Sequence, residues 1–327
     1  MLKVDHVTAS YKTLDGNVVA VEDVNFDIHD NEIFGIAGES GCGKSTMLKV
    51  LYDIIQFPLE IDSGRVVLDG MKDEKHFDIQ TGEIHKSWWS NIAYIPQAAM
   101  SVLNPISRLR NQFIDSVPME RHDRKTETAM LKRVENYLEE LNLSKDVLDA
   151  YPFQLSGGMR QRVIIALATF LEPNFILADE PTTALDVVVQ RGILMLLMRY
   201  QKEHQNTIVI VSHDLGVHYQ ITDRIAIMYS GKIVEIGKTT ELFERPYHPY
   251  TKMLIDALPK VGDRSARVGI EGTPPSLREQ MRGCRFAPRC PRATEKCRQT
   301  APEFREITPG RFAACHLLTD DPAKKVN

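Results

Sequence analysis

The chain of 327 residues lacks any hydrophobic run long enough to cross a membrane. A membrane-spanning helix needs about 20 consecutive apolar residues, and no stretch of this sequence approaches that length. Its first ten residues, MLKVDHVTAS, alternate between apolar and polar types and do not form the apolar block of a secretion signal. We therefore expect the protein to stay in the cytosol and to reach a membrane only through a partner.

The sequence also lacks an excess of positive charge. Its 40 lysines and arginines stand against 44 aspartates and glutamates, a formal net charge of −4, so nucleic acid is not expected as a partner. Hydrophobic residues make up 43% and charged residues 26%, which is typical of globular proteins. The length favours one large domain and one small one, and no internal repeat is visible.

Cysteine is scarce over most of the chain and concentrated at its end. Cys42 stands alone, whereas Cys284, Cys290, Cys297 and Cys315 fall within the last 44 residues. In a cytosolic protein such a cluster indicates a metal site more than disulfide bonds. The spacing C-x5-C-x6-C-x17-C matches neither the C-x2-C pairs of standard zinc sites nor the ferredoxin run. Four thiolates suit either Zn²⁺ or a [4Fe–4S] cluster, and free thiols remain a third interpretation.

Hydrophobic patterns predict an α/β fold. Short β-branched or apolar segments predict strands at 2–11, 18–28, 33–37, 65–68, 175–178, 207–211, 224–228 and 232–236. Apolar stripes predict helices from 44 onward, around 131–141, at 156–171 and at 187–203. Because strand and helix alternate after residue 156, we expect a parallel sheet covered by helices. Residues 71–90 resemble a surface insertion, and proline, arginine and cysteine increase beyond about 260, where we place a domain boundary.

A glycine-rich loop follows the predicted strand 33–37. Residues 38–45, Gly-Glu-Ser-Gly-Cys-Gly-Lys-Ser, match the phosphate-loop pattern G-x-x-x-x-G-K-[ST] in full. Backbone N–H groups and the following helix N-terminus can bind phosphate oxygens, Lys44 can reach the β- and γ-phosphates, and the Ser45 hydroxyl can bind Mg²⁺. A chance lysine after a glycine-rich turn fits the strand–loop–helix context poorly. The predicted nucleotide-binding residues here are Gly38, Ser40, Gly41, Cys42, Gly43, Lys44, Ser45 and Thr46.

Two acids end the predicted strand 175–178. An apolar run delivers Asp179 and Glu180 at its C-terminal end, where α/β sheets place their ligands. Asp179 suits a water-mediated contact with Mg²⁺, and Glu180 suits polarising an attacking water. Taken alone, the pair would be two solvated acids at a strand end. Together with the phosphate loop, it predicts a hydrolytic site.

Residues 155–162, Leu-Ser-Gly-Gly-Met-Arg-Gln-Arg, resemble the signature of ATP-binding-cassette proteins. The simpler interpretation is a helix start with Ser156 as its N-cap. The resemblance implies more: Ser156, Gly157 and Gly158 would face the γ-phosphate held by an opposite subunit. It therefore implies a head-to-tail dimer with two ATP molecules at its interface.

The other positions of that family occur in order. The resemblance implies that Tyr11 stacks on adenine, that Gln97 contacts Mg²⁺ and water, that Asp186 of Ala184-Leu185-Asp186 lies in the loop crossing the dimer interface, and that His213 contacts the γ-phosphate. Tyr11 and His213 are also compatible with purely structural roles. In the implied mechanism Lys44, Mg²⁺ and His213 offset phosphate charge while Glu180 orients the water.

The resemblance covers about residues 1–258. It implies a P-loop NTPase cassette with a parallel core sheet, an antiparallel β subdomain and a helical subdomain at about 98–172. The remaining residues, 259–327, form a predicted cysteine-rich, metal-binding module. Cys42 lies at a helix N-terminus, where the pKa of a thiol tends to fall. Its loop position is compatible with a redox switch on ATP binding or with a small tolerated residue.

Three segments resemble the oligopeptide/dipeptide permease branch of this family: Leu103-Asn104-Pro105, His248-Pro249-Tyr250-Thr251, and residues 283–291 with the cysteines after them. The resemblance implies an ATPase subunit of a peptide importer, peripheral at the cytoplasmic membrane face. Its implied partners are two permease subunits, a related but different second ATPase subunit and, indirectly, a solute-binding protein. Import of oligosaccharides or nickel chelates stays open, as does Zn²⁺ in place of the [4Fe–4S] cluster that the branch implies.

Two departures from the branch pattern bear on the transported solute. Ala98-Ala99-Met100 replaces the acidic-proline pair common after the glutamine, and 71–90 is longer than expected. Two other classes remain as alternatives. A soluble cassette ATPase acting on DNA or ribosomes usually carries two cassettes or basic patches, which this chain lacks. A metal-sensing regulator would need only to bind ATP, whereas Glu180 and His213 indicate hydrolysis.

Overall fold

A computed structural model describes residues 1–68, 77–78, 91–97, 102–117, 124–258, 269–279 and 281–318. The chain divides into two compact units, the first formed by residues 1–83 and 211–327 and the second by residues 84–210. Within the described parts of the chain, no helix is both long and apolar enough to cross a bilayer.

The structure has strands and helices that alternate along much of the chain. The strands are β1 (Leu2–Thr13), β2 (Gly16–Ile28), β3 (Ile33–Ala37), β4 (Leu59–Leu68), β5 (Phe77–Asp78), β6 (Ile92–Ile95), β7 (Phe175–Asp179), β8 (Thr207–Ser212), β9 (Arg224–Tyr229), β10 (Lys232–Lys238), β11 (Arg305–Thr308) and β12 (Arg311–Ala313). The helices are α1 (Lys44–Leu51), α2 (Leu109–Asp115), α3 (Arg124–Glu140), α4 (Gly157–Thr169), α5 (Val187–His204), α6 (Leu215–Ile221), α7 (Thr239–Glu244), α8 (Pro249–Asp256) and α9 (Glu295–Gln299).

The first unit contains an antiparallel sheet in the order β2-β1-β4-β5. Its β1 strand pairs with β2 on one side and β4 on the other, so that Tyr11 faces Val18 and Leu59. Alternate β1 residues, among them Leu2 and Val4, are buried because successive side chains point to opposite faces. This sheet is the antiparallel β subdomain expected from the sequence.

A second group of strands in the first unit follows the order β11-β12-β10-β9-β3. Here β3 lies parallel to β9, whereas β10 runs antiparallel to both β9 and β12. All five residues of β3 are buried, which suits a central strand covered on both faces. The aromatic side chains Tyr229, Tyr250 and Phe286 pack in one apolar cluster with Ala37 and Ile227.

The second unit contributes strands in the order β8-β7-β6, with β6 and β7 parallel. Every residue of β7 and β8 is buried. Helix α4 is buried on nearly all sides from Val163 to Thr169, whereas α5 buries one stripe that includes Ile193, Leu197 and Tyr200. Helices α2, α3 and α4 lie within the predicted helical range of about 98–172.

Most predicted elements are confirmed, with bounds shifted by a few residues. The strands predicted at 33–37, 175–178 and 207–211 correspond to β3, β7 and β8. The strand predicted at 65–68 is only the end of β4, which begins at Leu59. The predicted insertion at 71–90 lies outside the described residues except for the short strand β5.

The sequence pattern predicts no element beyond about residue 260, and there the structure differs. The hairpin β11–β12 continues the first unit's sheet, with Glu235 of β10 opposite Ala313 and Ile236 opposite Phe312. Strands of four and three residues are too short to show alternation. Residues 211–327 fall in the same unit as the first 83 residues. The boundary at 258/259 stays a prediction.

A buried ion pair attaches this hairpin to β10. Arg311 donates to the Glu235 carboxylate at 3.1 Å, and its guanidinium lies 3.8 Å from the centre of the Tyr247 ring. Glu235 also accepts from the backbone N–H groups of Tyr247 and His248. Burial raises the pKa of Glu235, and these donors act against that rise. The Arg311–Glu235 ion pair thus attaches the β11–β12 hairpin, which has few apolar residues, to the sheet.

Candidate functional site

The phosphate loop connects β3 to α1, as the sequence predicts. At its last glycine, Gly43, the backbone has φ of 108° and packs so closely that an added Cβ atom would lie 2.1 Å from the carbonyl oxygen of Ala20. The Lys44 side chain is buried, and its Nζ donates to the carbonyl oxygens of Gly38 and Glu39, each at 2.9 Å. The Lys44 ammonium group therefore lies inside the phosphate loop, where a phosphate-binding cation is expected.

Cys42 has a different environment from the one its position suggests. The side chain is buried, and this burial raises the pKa of its thiol despite the nearby Lys44 ammonium. The expectation of a lowered pKa from the helix N-terminus is therefore wrong. Burial outweighs the Lys44 charge and the backbone hydrogen bonds because a thiolate at this position would lose its water.

Tyr11 lies beside the start of α1. Its hydroxyl is hydrogen-bonded to the hydroxyl of Thr46 at 3.2 Å, which brings β1 to the end of the phosphate loop. The structure thus unites three sequence-predicted features within the first unit: the loop, Thr46 and the aromatic residue. Stacking of Tyr11 on adenine stays a prediction.

In the second unit, the ends of two parallel strands bring the predicted polar residues together. Gln97, two residues beyond β6, donates from Nε2 to Glu180 Oε2 at 3.2 Å. Thr183 donates to the same carboxylate oxygen at 2.8 Å. Asp179, the last residue of β7, accepts from the Tyr94 hydroxyl at 3.2 Å. The carboxyl ends of adjacent parallel strands thus form one polar cluster, as α/β sheets generally do.

Sequence reasoning missed two residues of this cluster. Tyr94 belongs to the same Tyr-Ile-Pro-Gln segment as Gln97, and Thr183 lies between Glu180 and the Ala184-Leu185-Asp186 segment. Glu180 has a positive φ of 45°, so the chain turns sharply there and returns Thr183 to the carboxylate. No periodic signal marks such a turn. The Tyr94 hydroxyl could have been suspected only from the parallel pairing of β6 and β7.

The signature segment and the segment ending at Asp186 lie side by side. Ser156 caps α4 by accepting from the backbone N–H of Met159 at 3.3 Å. Asp186 caps α5 by accepting from Val188 and Val189 at 3.1 and 3.0 Å. A Cβ atom added at Gly158 would lie 2.7 Å from Val189, so the two helix starts are in close contact. Ser156, Gly157 and Asp186 are exposed.

His213 follows β8 in the first unit and is exposed. Behind it lies a second histidine that the sequence reasoning missed. His218 is fully buried, and burial lowers its pKa to about 4, so the ring is neutral at neutral pH. Its Nε2 lies 3.1 Å from the carbonyl oxygen of Ser212, which can only accept. His218 therefore donates a hydrogen bond to the Ser212 carbonyl oxygen, next to His213, and holds the backbone in place at the end of β8.

The four clustered cysteines line one small cavity of about 10 Å³, together with His248 and His316. None forms a disulfide bond. Burial raises the pKa of the Cys284 and Cys290 thiols, and it raises the pKa of Cys315 to about 11. In the described parts of the chain, no group of three or more His, Cys, Asp or Glu residues is arranged to hold a metal ion. The cysteines thus converge, and their ligand role stays a prediction.

Residues 21–183 match the ABC transporter family, and residues 234–297 match the C-terminal region of oligopeptide/dipeptide transporters. The dipeptide transport ATP-binding protein DppD of Caldanaerobacter subterraneus subsp. tengcongensis is 38% identical over 323 residues, covering 98% of this chain and 98% of that protein. The oligopeptide transport ATP-binding protein OppD of Escherichia coli is 36% identical over 321 residues, covering 96% and 92%.

Solved structures show the same cassette fold. The dimeric ABC transporter cassette MJ0796 is 30% identical and superposes with a TM-score of 0.60, covering 73% of this chain and 99% of that one. The cassette cbiO1 of Clostridium perfringens is 29% identical with a TM-score of 0.61, covering 74% and 90%. With these likenesses and the predicted motifs in place, the chain belongs to the ABC transporter family as an ATP-hydrolysing subunit, in the branch that carries the oligopeptide/dipeptide transporter C-terminal region.

Proposed function

We propose that this chain hydrolyses ATP to power an importer of dipeptides or oligopeptides, bound to two permease subunits at the cytoplasmic face of a membrane. The observation that carries the proposal is the Glu180 carboxylate, held by Gln97 and Thr183, in a chain whose residues 234–297 match the peptide-transporter C-terminal region. Relatives named for dipeptide and oligopeptide transport align over nearly their whole length, which supports the peptide substrate class.

The proposed chemistry is phosphoryl transfer to water. Lys44 and His213 offset negative charge on the phosphates, and Glu180 accepts a hydrogen bond from the attacking water. Ser45, Gln97 and Asp179 are the proposed Mg²⁺ ligands, because hydroxyl, amide and carboxylate oxygens are the donors that this ion prefers. When bound, Mg²⁺ supplies positive charge to the phosphate oxygens.

A second cassette completes the proposed site. On each cassette, the surface facing the other is formed by Ser156, Gly157, Gly158 and Asp186. Two large apolar side chains beside them, Val187 and Val188, are 79% and 81% exposed. Exposed apolar side chains next to exposed polar helix caps are typical of an interaction surface. A related solved cassette is dimeric, which supports the arrangement. The proposed second subunit is a related but different chain.

A further exposed apolar group supports a membrane partner. Val102 and Ile106 flank the Leu103-Asn104-Pro105 segment and are exposed, as is Phe153. Leu109 donates its N–H to Ala150 at 3.1 Å, so the segments carrying Ile106 and Phe153 are neighbours in the second unit. We assign this patch to the permease subunits, whose loops would cover its apolar side chains.

Reconstitution tests the proposed substrate. In liposomes that contain the chain with its permease subunits and solute-binding protein, ATP is expected to drive uptake of labelled dipeptide. Vesicles that carry Glu180→Gln serve as the control and are expected to take up none. Uptake of an oligosaccharide or a nickel chelate without peptide uptake would contradict the peptide class, and the absence of ATP-dependent uptake of all three would contradict the importer.

We further propose that Cys284, Cys290, Cys297 and Cys315 hold a [4Fe–4S] cluster, with Zn²⁺ as the alternative. Four soft thiol donors around one cavity fit either group chemically. His248 and His316 are hydrogen-bonded elsewhere, His248 to the Tyr250 N–H and His316 to the carbonyl oxygen of Thr300. The cavity of about 10 Å³ has room for about one ion, so the cluster requires the thiols to lie further apart than Zn²⁺ does.

Anaerobic purification distinguishes the two groups. The expected preparation is brown, absorbs visible light and contains about four iron atoms per chain. Cys290→Ser is expected to lose most of the iron and colour, whereas Cys42→Ser, the matched control outside the cavity, is expected to keep both. A colourless preparation with one zinc per chain would replace the cluster by Zn²⁺, and the absence of both metals would reject the site.

A further inference from the structure

The segment between Cys284 and Cys290 carries two buried arginines that reach toward the phosphate loop. The side chains of Arg285 and Arg289 are only 7% and 4% exposed. Consecutive backbone hydrogen bonds make the segment compact: Ala287 N–H donates to Cys284, and Arg289 N–H donates to Phe286 at 3.0 Å. Because these hydrogen bonds restrain the backbone, the side chains of Arg285 and Arg289 extend from fixed positions.

Arg289 forms a salt bridge with Glu39, the second residue of the phosphate loop. Its guanidinium donates two hydrogen bonds to the Glu39 carboxylate, at 2.7 and 3.0 Å. The same group donates to the carbonyl oxygens of Ile270 and Glu271, and it lies 5.8 Å from the centre of the Tyr229 ring. This paired geometry uses the planar fork of arginine, which lysine cannot reproduce.

Glu39 in turn connects the Arg289 salt bridge to Lys44 of the phosphate loop. Its carbonyl oxygen accepts from Lys44 Nζ at 2.9 Å, and its backbone N–H donates to the Tyr250 hydroxyl at 3.0 Å. A rotation of the Glu39 peptide would therefore displace the acceptor that positions the Lys44 ammonium. The side chain of Glu39 is held by Arg289, its N–H by Tyr250 and its carbonyl by Lys44.

Arg285 reaches the other end of the loop. Its guanidinium donates to the carbonyl oxygen of Ser230 at 2.6 Å and is paired with Glu22. The next residue, Gly231, donates its N–H to the carbonyl oxygen of Cys42 at 2.8 Å. The cysteine segment thus contacts the phosphate loop directly at Glu39 and, through Ser230-Gly231, at Cys42.

We propose that Arg289 is a positioning residue of the nucleotide site: through Glu39 it holds the phosphate loop in the conformation that receives a triphosphate. The inference rests on the proposed ATP-binding function and deepens it. Arg289 also neutralises the Glu39 carboxylate, which would otherwise place a negative charge beside the bound phosphates. The pair therefore acts on phosphate affinity through both geometry and charge, while adenine binding does not depend on it.

Nucleotide affinity tests the proposal directly. Arg289→Gln is expected to raise the Kd for MgATP about tenfold and to leave the Kd for adenosine, measured by ligand-observed NMR, unchanged. Arg289→Lys is expected to recover part of the loss because it restores the charge without the fork. The double variant Glu39→Gln/Arg289→Gln is expected to bind MgATP at least as well as Arg289→Gln alone. The double variant lacks the Glu39 carboxylate, which in Arg289→Gln has lost its arginine partner.

The matched control is Arg292→Gln, which removes an exposed arginine two residues after Cys290. Its Kd for MgATP is expected to equal that of the unmodified chain, and thermal unfolding of every variant separates loss of folding from loss of affinity. An unmodified chain that fails to bind MgATP would overturn the proposed function and the inference together. Binding by the unmodified chain with equal Kd in a folded Arg289→Gln variant would overturn the inference alone.

Discussion

Replacing Glu180 by glutamine is expected to lower steady-state ATP turnover by more than about 100-fold while MgATP binding persists. The carboxylate accepts hydrogen bonds from Gln97 and Thr183, which fix it at the end of β7. A glutamine fits the same space, but its amide cannot take up a proton from the attacking water. The site would then hold ATP without hydrolysing it, and an ATP-bound dimer is expected to accumulate.

Phosphate release and size-exclusion chromatography in the presence of MgATP measure these two effects. Thr183→Val is the matched control, because it removes one hydrogen bond to the carboxylate and keeps the carboxylate itself. Its expected loss of turnover is about tenfold or less, without a trapped dimer. An unchanged ATPase rate in Glu180→Gln would reject Glu180 as the group that orients the water.

The parts of the site that could be predicted from the sequence are those that depend on contiguous residues. The phosphate loop is eight consecutive residues whose backbone conformation is set by its glycines, so its pattern carries its structure. The acids after β7 are similar, because an apolar strand delivers them at a sheet edge. Local hydrophobic patterns predict the bounds of these strands and helices to within a few residues at most ends.

What could not be predicted depends on contacts between distant residues or on burial. Arg289 and Glu39 are separated by 250 positions in the chain, and neither residue type requires the other. The pairing of β12 with β10 rests on three residues and a buried ion pair, which leave no periodic signal. The position of Cys42 in the loop predicts a lowered thiol pKa, whereas its burial, which the sequence does not reveal, raises it.

The second large effect is expected at Gly43. Gly43→Ala would force a non-glycine residue to adopt φ of 108° and would place its Cβ atom 2.1 Å from the backbone carbonyl oxygen of Ala20. A flexible side chain could move away, but a carbonyl oxygen in β2 cannot do so without disrupting the strand. We expect the free energy of unfolding to fall by about 3 to 4 kcal/mol and MgATP binding to be lost.

Gly16 provides the matched control because its backbone has the same φ of 108°, at the first residue of β2, with no atom within 4 Å of an added Cβ. Gly16→Ala therefore carries the backbone strain without the collision and is expected to cost only about 1 kcal/mol. Denaturant unfolding and MgATP titration of both variants separate the two contributions. Equal losses of stability would show that strain alone matters at Gly43. A larger loss at Gly43, together with loss of binding, would show that close packing of the phosphate loop on β2 gives the nucleotide site its shape.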